Sequence, residues 1–524
     1  MAAFTIPPGN KVAGQAGFVA DIDSLYTAVA AIAGVNVLNS AYAGGADPTG
    51  ATDSTAAIQA AITAASSGGI VYLPPGTYLL NGSAGLSVTT AGTRIVGAGP
   101  KSAVLQIGAS FTGSQAVELN AEACAVENLT IAGTSSATTS NPAADAIYLA
   151  GQRFCRVSTV EFEYINGWCV ESIATASSAG YGTMLDRLST YKNCAGGIHV
   201  KSVTGVGWGA QHFLSNINLQ QVGVGSGTFA NLDAVMLEDC WDITAAVVNA
   251  SVSDASTGSA MHIKGKCATI YLADMDLGCN PNGSGTNSVW LIEDGTNGSP
   301  VDVQVVNGVG QQGTIGLRVT GGANDLRFTN FRAWNNYTHG VSIEGTGANI
   351  DFAKLYAGQN GQGASGSNYD LQWTSTASGL LSDVTLASPV VSTGTAGVQA
   401  PANLSSGNLI RAINWSGNGT GTTSSNMFVS SNAPKEYHYV RPWSPRGLQA
   451  VTVPSSGTAT AAFGNDRWFY VTAASSGTTT VAVSGSAAAT ITIPASACVP
   501  VFLPAGSTLT PSYSSAPTWV VFGN

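Results

Sequence analysis

Six stretches in the middle of the chain repeat one pattern: GGIHVKS (196–202), DAVMLED (233–239), SAMHIKG (259–265), NSVWLIEDG (287–295), IGLRVTG (315–321) and HGVSIEG (339–345). From Val235 onward they recur about every 24 to 28 residues. Apolar residues alternate within each, as at Ile198 and Val200 or Leu317 and Val319, so each reads as a strand with one buried face. A second strand and a polar break follow each one, as in LRFTNFRAWNN and IDFAKLYAGQN. A unit this short cannot bury its own apolar face, and its recurrence makes a stack the stable solution. The breaks carry Asn166, Asn193, Asn218, Asn249, Asn280, Asn307, Asn335 and Asn360. Asparagine tolerates the left-handed conformation of a sharp corner, and stacked amides can bond from rung to rung. The expected fold class is all-β: a right-handed parallel β-helix (solenoid) of roughly ten or more coils. An antiparallel sandwich would need hairpin dipeptides more regularly than they occur.

Composition supports many short strands and excludes some partners. Of 524 residues, 64 are Gly and only 48 are charged, 19 basic and 29 acidic. A net charge of −10 with no Lys/Arg run argues against nucleic acid, since phosphate binding needs concentrated basic surface. No run reaches the roughly 18 to 20 apolar residues of a membrane span, and MAAFTIPPGNKVAGQAG lacks the basic-then-apolar order of a signal peptide. Neither membrane insertion nor a secretory leader is expected. The eight cysteines form no CxxC pair and no cluster with His, so they read as buried free thiols, with no metal and no cofactor expected.

A solenoid end exposes an apolar cross-section and unpaired strand edges, which something must cover. DSTAAIQAAITAASSGG (53–69) supplies an Asp/Ser cap, an apolar face of Ala57, Ile58, Ala61 and Ile62, and a Gly-Gly stop. It is the expected plug, and IVYLPPGTYLL is the expected first coil. The stretch GGADPTGATDSTAAIQAAI…GGIVYLPPGTYLL resembles the opening motif of pectate-lyase-like β-helix proteins, a superfamily of polysaccharide lyases, polygalacturonases and phage tailspikes. The tail, ending PAGSTLT…APTWVVFGN, resembles the small β-sandwich that follows such helices in phage and prophage spike proteins of actinobacteria.

The expected organisation is 1–39 as an attachment segment, 40–420 as the β-helix, 421–440 as a linker and 441–524 as a C-terminal β-sandwich. Val19, Ile22, Leu25, Val29 and Ile32 form a narrow helical stripe in the first segment. The resemblance implies that this segment meets a tail or baseplate protein, and that the chain is a homotrimer on a virion tail recognising and depolymerising a host surface polysaccharide. An adhesin without catalysis and a free secreted lyase or hydrolase are the alternatives. Trp443, Trp468, Tyr470, Tyr513 and Trp519 near the C-terminus suit either a glycan surface or a core and subunit contact.

Alternation also assigns an outward column: His199, Lys201, Met236, Glu238, His262, Lys264, Arg318, Thr320, Ser342 and Glu344, with Trp290 near its middle. Such a column suits an extended polysaccharide or a neighbouring subunit. His199, Lys201, His262, Lys264, Trp290 and Arg318 are the candidate substrate-binding residues. Glycoside hydrolysis needs two carboxyl groups, one acid and one base. The densest acidic neighbourhood holds Glu238, Asp239 and Asp242 in LEDCWDI, then Asp274 and Asp276 in LADMDLG. These five are the candidate catalytic residues. The paired-Asp and Gly-His-Gly elements of polygalacturonases are absent, and THGVS with His339 is half of one. For a lyase, Lys264, Arg318 and Arg327 are available as a base.

Overall fold

The computed structural model describes residues 34–410, 413–415, 436–437, 440–442 and 449–522. Excepted are 66–67, 175–179, 192, 204–209, 254–255, 280–286, 364–367, 374–376, 378, 389–396, 399, 405–408, 452, 461–466, 485–488 and 504–506. The stripe at 19–32, Asn280 and Trp443, and the side chains of Trp468 and Tyr470, lie outside the described residues. Two compact units emerge, one of residues 1–410 with 417–436 and one of 411–416 with 437–524.

The first unit is a parallel β-solenoid of about 11 turns. One sheet has twelve strands, running from Leu86–Val88 at one edge to Ala400–Leu404 at the other. Each neighbour in it is parallel and comes from the next coil, for example Gly196–Ser202 beside Val235–Glu238 beside Met261–Lys264. Between successive visits the chain lays down a longer strand in a second parallel sheet, such as Phe213–Val222, Trp241–Val252, Ala268–Cys279 and Val301–Gln311.

Register explains why the repeat needs its alternation. Ile198, Val235, Met261, Trp290, Leu317 and Val341 pair in sequence along the first sheet, and all are fully or almost fully buried. Each large apolar side chain stacked there contributes roughly 1.5–3 kcal/mol, and no coil could collect it alone. Trp290 thus belongs to the interior, not to the outward column. Its Nε1 donates to the Val309 carbonyl at 2.8 Å, and its ring meets Phe331 edge-on.

The corners correct a second expectation. Asn128, Thr159, Arg187, Asn216, Val247, Asp274, Asn307, Asn330, Lys354 and Asp383 all have φ between 51° and 65° and bend successive long strands at one register position. Of the seven described asparagines expected at corners, only Asn307 lies in this column, and Asn335 turns a strand end at φ 55°. Spacing alone could not find it, because the bend accepts Thr, Arg, Val and Lys when packing on both sides fixes it. Stacked amides do occur: Asn330 donates to Asn307, and Asn307 to Asp274, each at 2.8 Å.

Helix Thr55–Ala64 buries Ala57, Ile58, Ala61 and Ile62 and packs on Leu86–Val88, the edge strand. Gln59 treats that edge as a strand would, donating to the Ser87 carbonyl at 3.0 Å and accepting from the Ser87 N–H at 2.8 Å. The plug therefore satisfies edge backbone as well as covering apolar surface. The cap differs from expectation. Asp53 Oδ1 accepts from the Thr55 N–H, while Ser54 Oγ accepts from Asp47 N in the preceding loop.

Seven cysteines are buried free thiols; Cys498 is free but exposed. In the second unit, strands Gln449–Val451, Thr518–Phe522, Arg467–Thr472 and Cys498–Leu503 form one antiparallel sheet. Ala489–Ile493, Thr479–Ser484 and Thr508–Tyr513 form another, and both sheets supply one core around Phe469, Val481, Val501 and Trp519. Trp519 is a core residue, packed edge-on against Phe469.

Candidate functional site

The outward face of the twelve-stranded sheet concentrates titratable groups. Tyr148, Glu171, His199, Met236, His262, Leu291, Arg318 and Ser342 share one register column. The column two residues on reads Lys201, Glu238, Lys264 and Glu293, an alternation of sign from rung to rung. Among the described residues, Lys264 has no ion-pair partner, since Glu238 turns to Lys201 and His199 and Glu293 turns to His262.

Two buried imidazoles anchor the face. His199 Nδ1 lies 2.9 Å from Glu171 Oε1 and its Nε2 lies 3.3 Å from Glu238 Oε2, which Lys201 Nζ also reaches at 2.9 Å. Trp168 packs on the His199 ring, with centroids 4.8 Å apart. Burial works against the charged ring, but hydrogen bonds to Glu171 and Glu238 outweigh it and raise His199 above its ordinary pKa. The bond from His199, helped by Lys201, holds Glu238 down at about 2.

Behind Glu171 stands Asp145, which accepts from the Trp168 N–H at 2.7 Å. Burial, and next the charge of Glu171, push Asp145 up to about 7. Asp145 thus keeps its proton up to near-neutral pH, while Glu238 stays ionised on the far side of the imidazole. The His199 ring stands between the Glu171 and Glu238 carboxyls and is bonded to both.

His262 repeats the motif, with Nδ1 2.8 Å from Asp233 and Nε2 3.1 Å from Glu293. Burial opposes its charge, yet the two carboxylates raise it to about 9, and the bond from His262 lowers Glu293. A histidine raised on folding stabilises fully below its unfolded value near 6.5, and that stability is lost as pH rises through about 9. Between pH 6 and 9.5 the solenoid is expected to lose on the order of 3 kcal/mol from this group. Thermal melts at the two pH values check it, with His262→Gln flattening the difference.

The structure does not bring the five sequence-selected carboxylates together. Glu238 lies on this face. Asp239 closes the adjoining corner at φ 54°, accepting from Lys266 N and Asn297 Nδ2. Asp242 has φ 51° and shares a corner column with Thr269, Asp302, Asp325 and Asn349 on the second sheet. Asp274 is in the bend column and Asp276 is exposed on the same sheet. Asp and Asn populate left-handed corners because their short polar side chains bond locally, which places three of the five. Of the selected binding residues, His199, Lys201, His262, Lys264 and Arg318 are on the first face; Arg318 is paired with Glu344.

Asp145, Glu171, Asp233 and Glu293 escaped sequence reasoning. Glu171 and Glu293 carried a usable signal: each stands at an outward position of a strand in the same series, Glu171 in WCVESIA and Glu293 in SVWLIE. Asp145 and Asp233 precede the alternating run and resemble turn residues.

Residues 38–260 match the family model "Rhamnogalacturonase A/epimerase, pectate lyase-like". Over those residues the match agrees with the resemblance carried by the opening motif. No curated protein sequence matches the chain. Solved structures similar to it include the enzymatically active domain of tailspike protein 2 of bacteriophage CBA120, at 12% identity over 91% of this chain and 71% of that one, TM-score 0.39. Tailspike protein 3 of the same phage matches at 10% over 84% and 66%, TM-score 0.46. A variant of DFA-IIIase from Arthrobacter chlorophenolicus A6 matches at 14% over 79% and 99%, TM-score 0.43.

Proposed function

We propose that the protein is a phage or phage-like tailspike that binds and hydrolyses a host surface polysaccharide on the twelve-stranded face. The observation that carries this reading is the carboxyl cluster around one imidazole, His199 bonded to Glu171 and Glu238, with Asp145 pushed up to about 7 by burial and Glu238 held down at about 2. A general acid and a general base need opposite protonation states at one pH, and environments that push two carboxyls apart supply them. Asp145 supplies the proton, and Glu171, the less buried of the two, hands it to the leaving oxygen. Glu238 accepts a proton from the attacking water. Lys201, Lys264 and Arg318 hold the glycan along the face. Incubation with purified envelope glycans is expected to release new reducing ends and no unsaturated sugar. Absorbance from an unsaturated product indicates a lyase, and no product at all leaves an adhesin.

The same reading assigns residues 1–39 to particle attachment and makes the assembly a homotrimer. Apolar exposure supports the latter: Met184, Phe213 and Tyr271 stand on one outward column of the second sheet, beside exposed Val247 and Val306. Sedimentation of Phe213→Asp is expected to give monomers where the unaltered chain gives trimers.

A further inference from the structure

The long strands of the second sheet bend at their left-handed column, and their surfaces differ on the two sides of it. Before the bend stand Met184, Phe213 and Tyr271. After it, the outward positions of six successive strands hold Asn218, Asn249, Asp276, Val309, Arg332 and Tyr356 in one column, polar or aromatic at every place but Val309. Beside them, in the column two residues on, stand Ser251, Gly278, Gln311, Trp334 and Gly358. None of these residues has a part in the chemistry assigned to the first sheet.

At Gly358 the surface has a built feature. A Cβ there would lie 3.0 Å from the Tyr356 ring and 3.2 Å from the Trp334 ring, so both rings are folded down over the bare glycine. They stack at 5.8 Å with 26° between planes, and the Arg332 guanidinium sits 4.3 Å from the Trp334 ring. Both rings are partly exposed. Three flat groups therefore make a shelf laid on the sheet. The neighbouring rungs continue it with planar amides and a carboxylate: Gln311 Nε2 donates to Asp276 Oδ1 at 3.0 Å, lying over Gly278, and Gln220 Nε2 donates to Asn249 Oδ1 at 2.9 Å. Five strand spacings span roughly 24 Å.

We infer that this strip is a second glycan-binding site, in which a pyranose face stacks on the Trp334–Tyr356–Arg332 shelf and hydroxyls meet Gln311, Asp276, Asn249 and Asn218. Aromatic faces offer an apolar plane to the C–H side of a sugar, while fixed amides and carboxylates match its hydroxyls. A second copy of the chain fits the strip less well, because its exposed groups are polar and the apolar residues lie across the bend. The inference rests on the reading that the protein engages glycans, but not on catalysis. A site here would hold a long chain while the other face cuts it.

The test uses the full chain on an array of hexasaccharides from neutral and uronate-containing bacterial surface glycans, followed by calorimetry on the glycans retained. Trp334→Ala is expected to weaken binding at least tenfold. Gly358→Val, which keeps every aromatic group and lifts the rings, is expected to do the same, with melting temperatures unchanged. Cleavage per bound short oligosaccharide stays at the unaltered level. Equal binding by both variants, or no retained glycan, overturns the inference, as does a loss of sedimentation mass with binding intact, which would make the strip a protein interface. Shelf-dependent binding without any product would instead remove the hydrolase reading and leave the site standing.

Discussion

Asp145→Asn is expected to lower turnover on the cognate polysaccharide by about 10²–10⁴, the usual value of a positioned proton donor. Glu171→Gln and Glu238→Gln are expected to fall in the same range, by removing the delivering group and the base. The pH profile separates the roles. A donor must be protonated, so activity falls as pH rises through about 7, where Asp145 loses its proton. A base must be ionised, and with Glu238 held at about 2 the acid limb lies far below the working range. The rate is therefore expected to plateau from roughly pH 4 to 6, and Asp145→Asn should move or abolish the alkaline limb while Glu238→Gln leaves its midpoint in place. Asp242→Asn is the matched control. It keeps a residue that tolerates φ 51° on a different sheet, so activity should be unchanged. A ten-fold or greater loss in Asp242→Asn, with Asp145→Asn near the unaltered rate, would move the site to the second sheet. Either result is read from initial rates of reducing-end release.

The stacked fold was legible because its physics is local and repeated. Alternation over five residues names an inner face, and recurrence says that the face is covered by the next coil. Alternation alone puts His199, Lys201, Glu238, His262 and Lys264 on one surface, and the register agrees. Chemistry was less legible, for two reasons. Charge density along the sequence counts corner residues and face residues alike, so Asp239, Asp242 and Asp274 looked like neighbours of Glu238 when each was serving a turn. The useful partners of Glu238 come from other coils: Glu171 is 67 positions away and meets it only through His199. In a solenoid, sequence distance within a coil separates faces, and sequence distance of one or two coils joins them.

Trp290 shows where alternation itself becomes ambiguous, and it carries the largest stability effect. In SVWLIE both parities are apolar, Val289 with Leu291 and Trp290 with Ile292. Size and polarity suggest that a tryptophan flanked by such a run faces a sugar. Space on the opposite strand decides otherwise. Gly308 and Gly310 leave room inside the coil: a Cβ at Gly308 would lie 2.8 Å from Phe331, and one at Gly310 would lie 3.0 Å from Trp290. A large ring at 290 and bare backbone at 308 and 310 are one packing unit, completed by the bond from Nε1 to the Val309 carbonyl. Trp290→Ala removes the ring while those glycines offer nothing to fill the void, so about 3–5 kcal/mol of stability should be lost. Leu291→Ala, one residue on and outward, should cost about 1 kcal/mol or less. Because each coil is held by its neighbours, the loss at 290 should also loosen the rungs on both sides, seen as faster amide exchange in 261–264 and 315–319. Denaturant midpoints decide between the two orientations: if Leu291→Ala proves the more damaging change, the ring faces solvent and the strand is registered the other way.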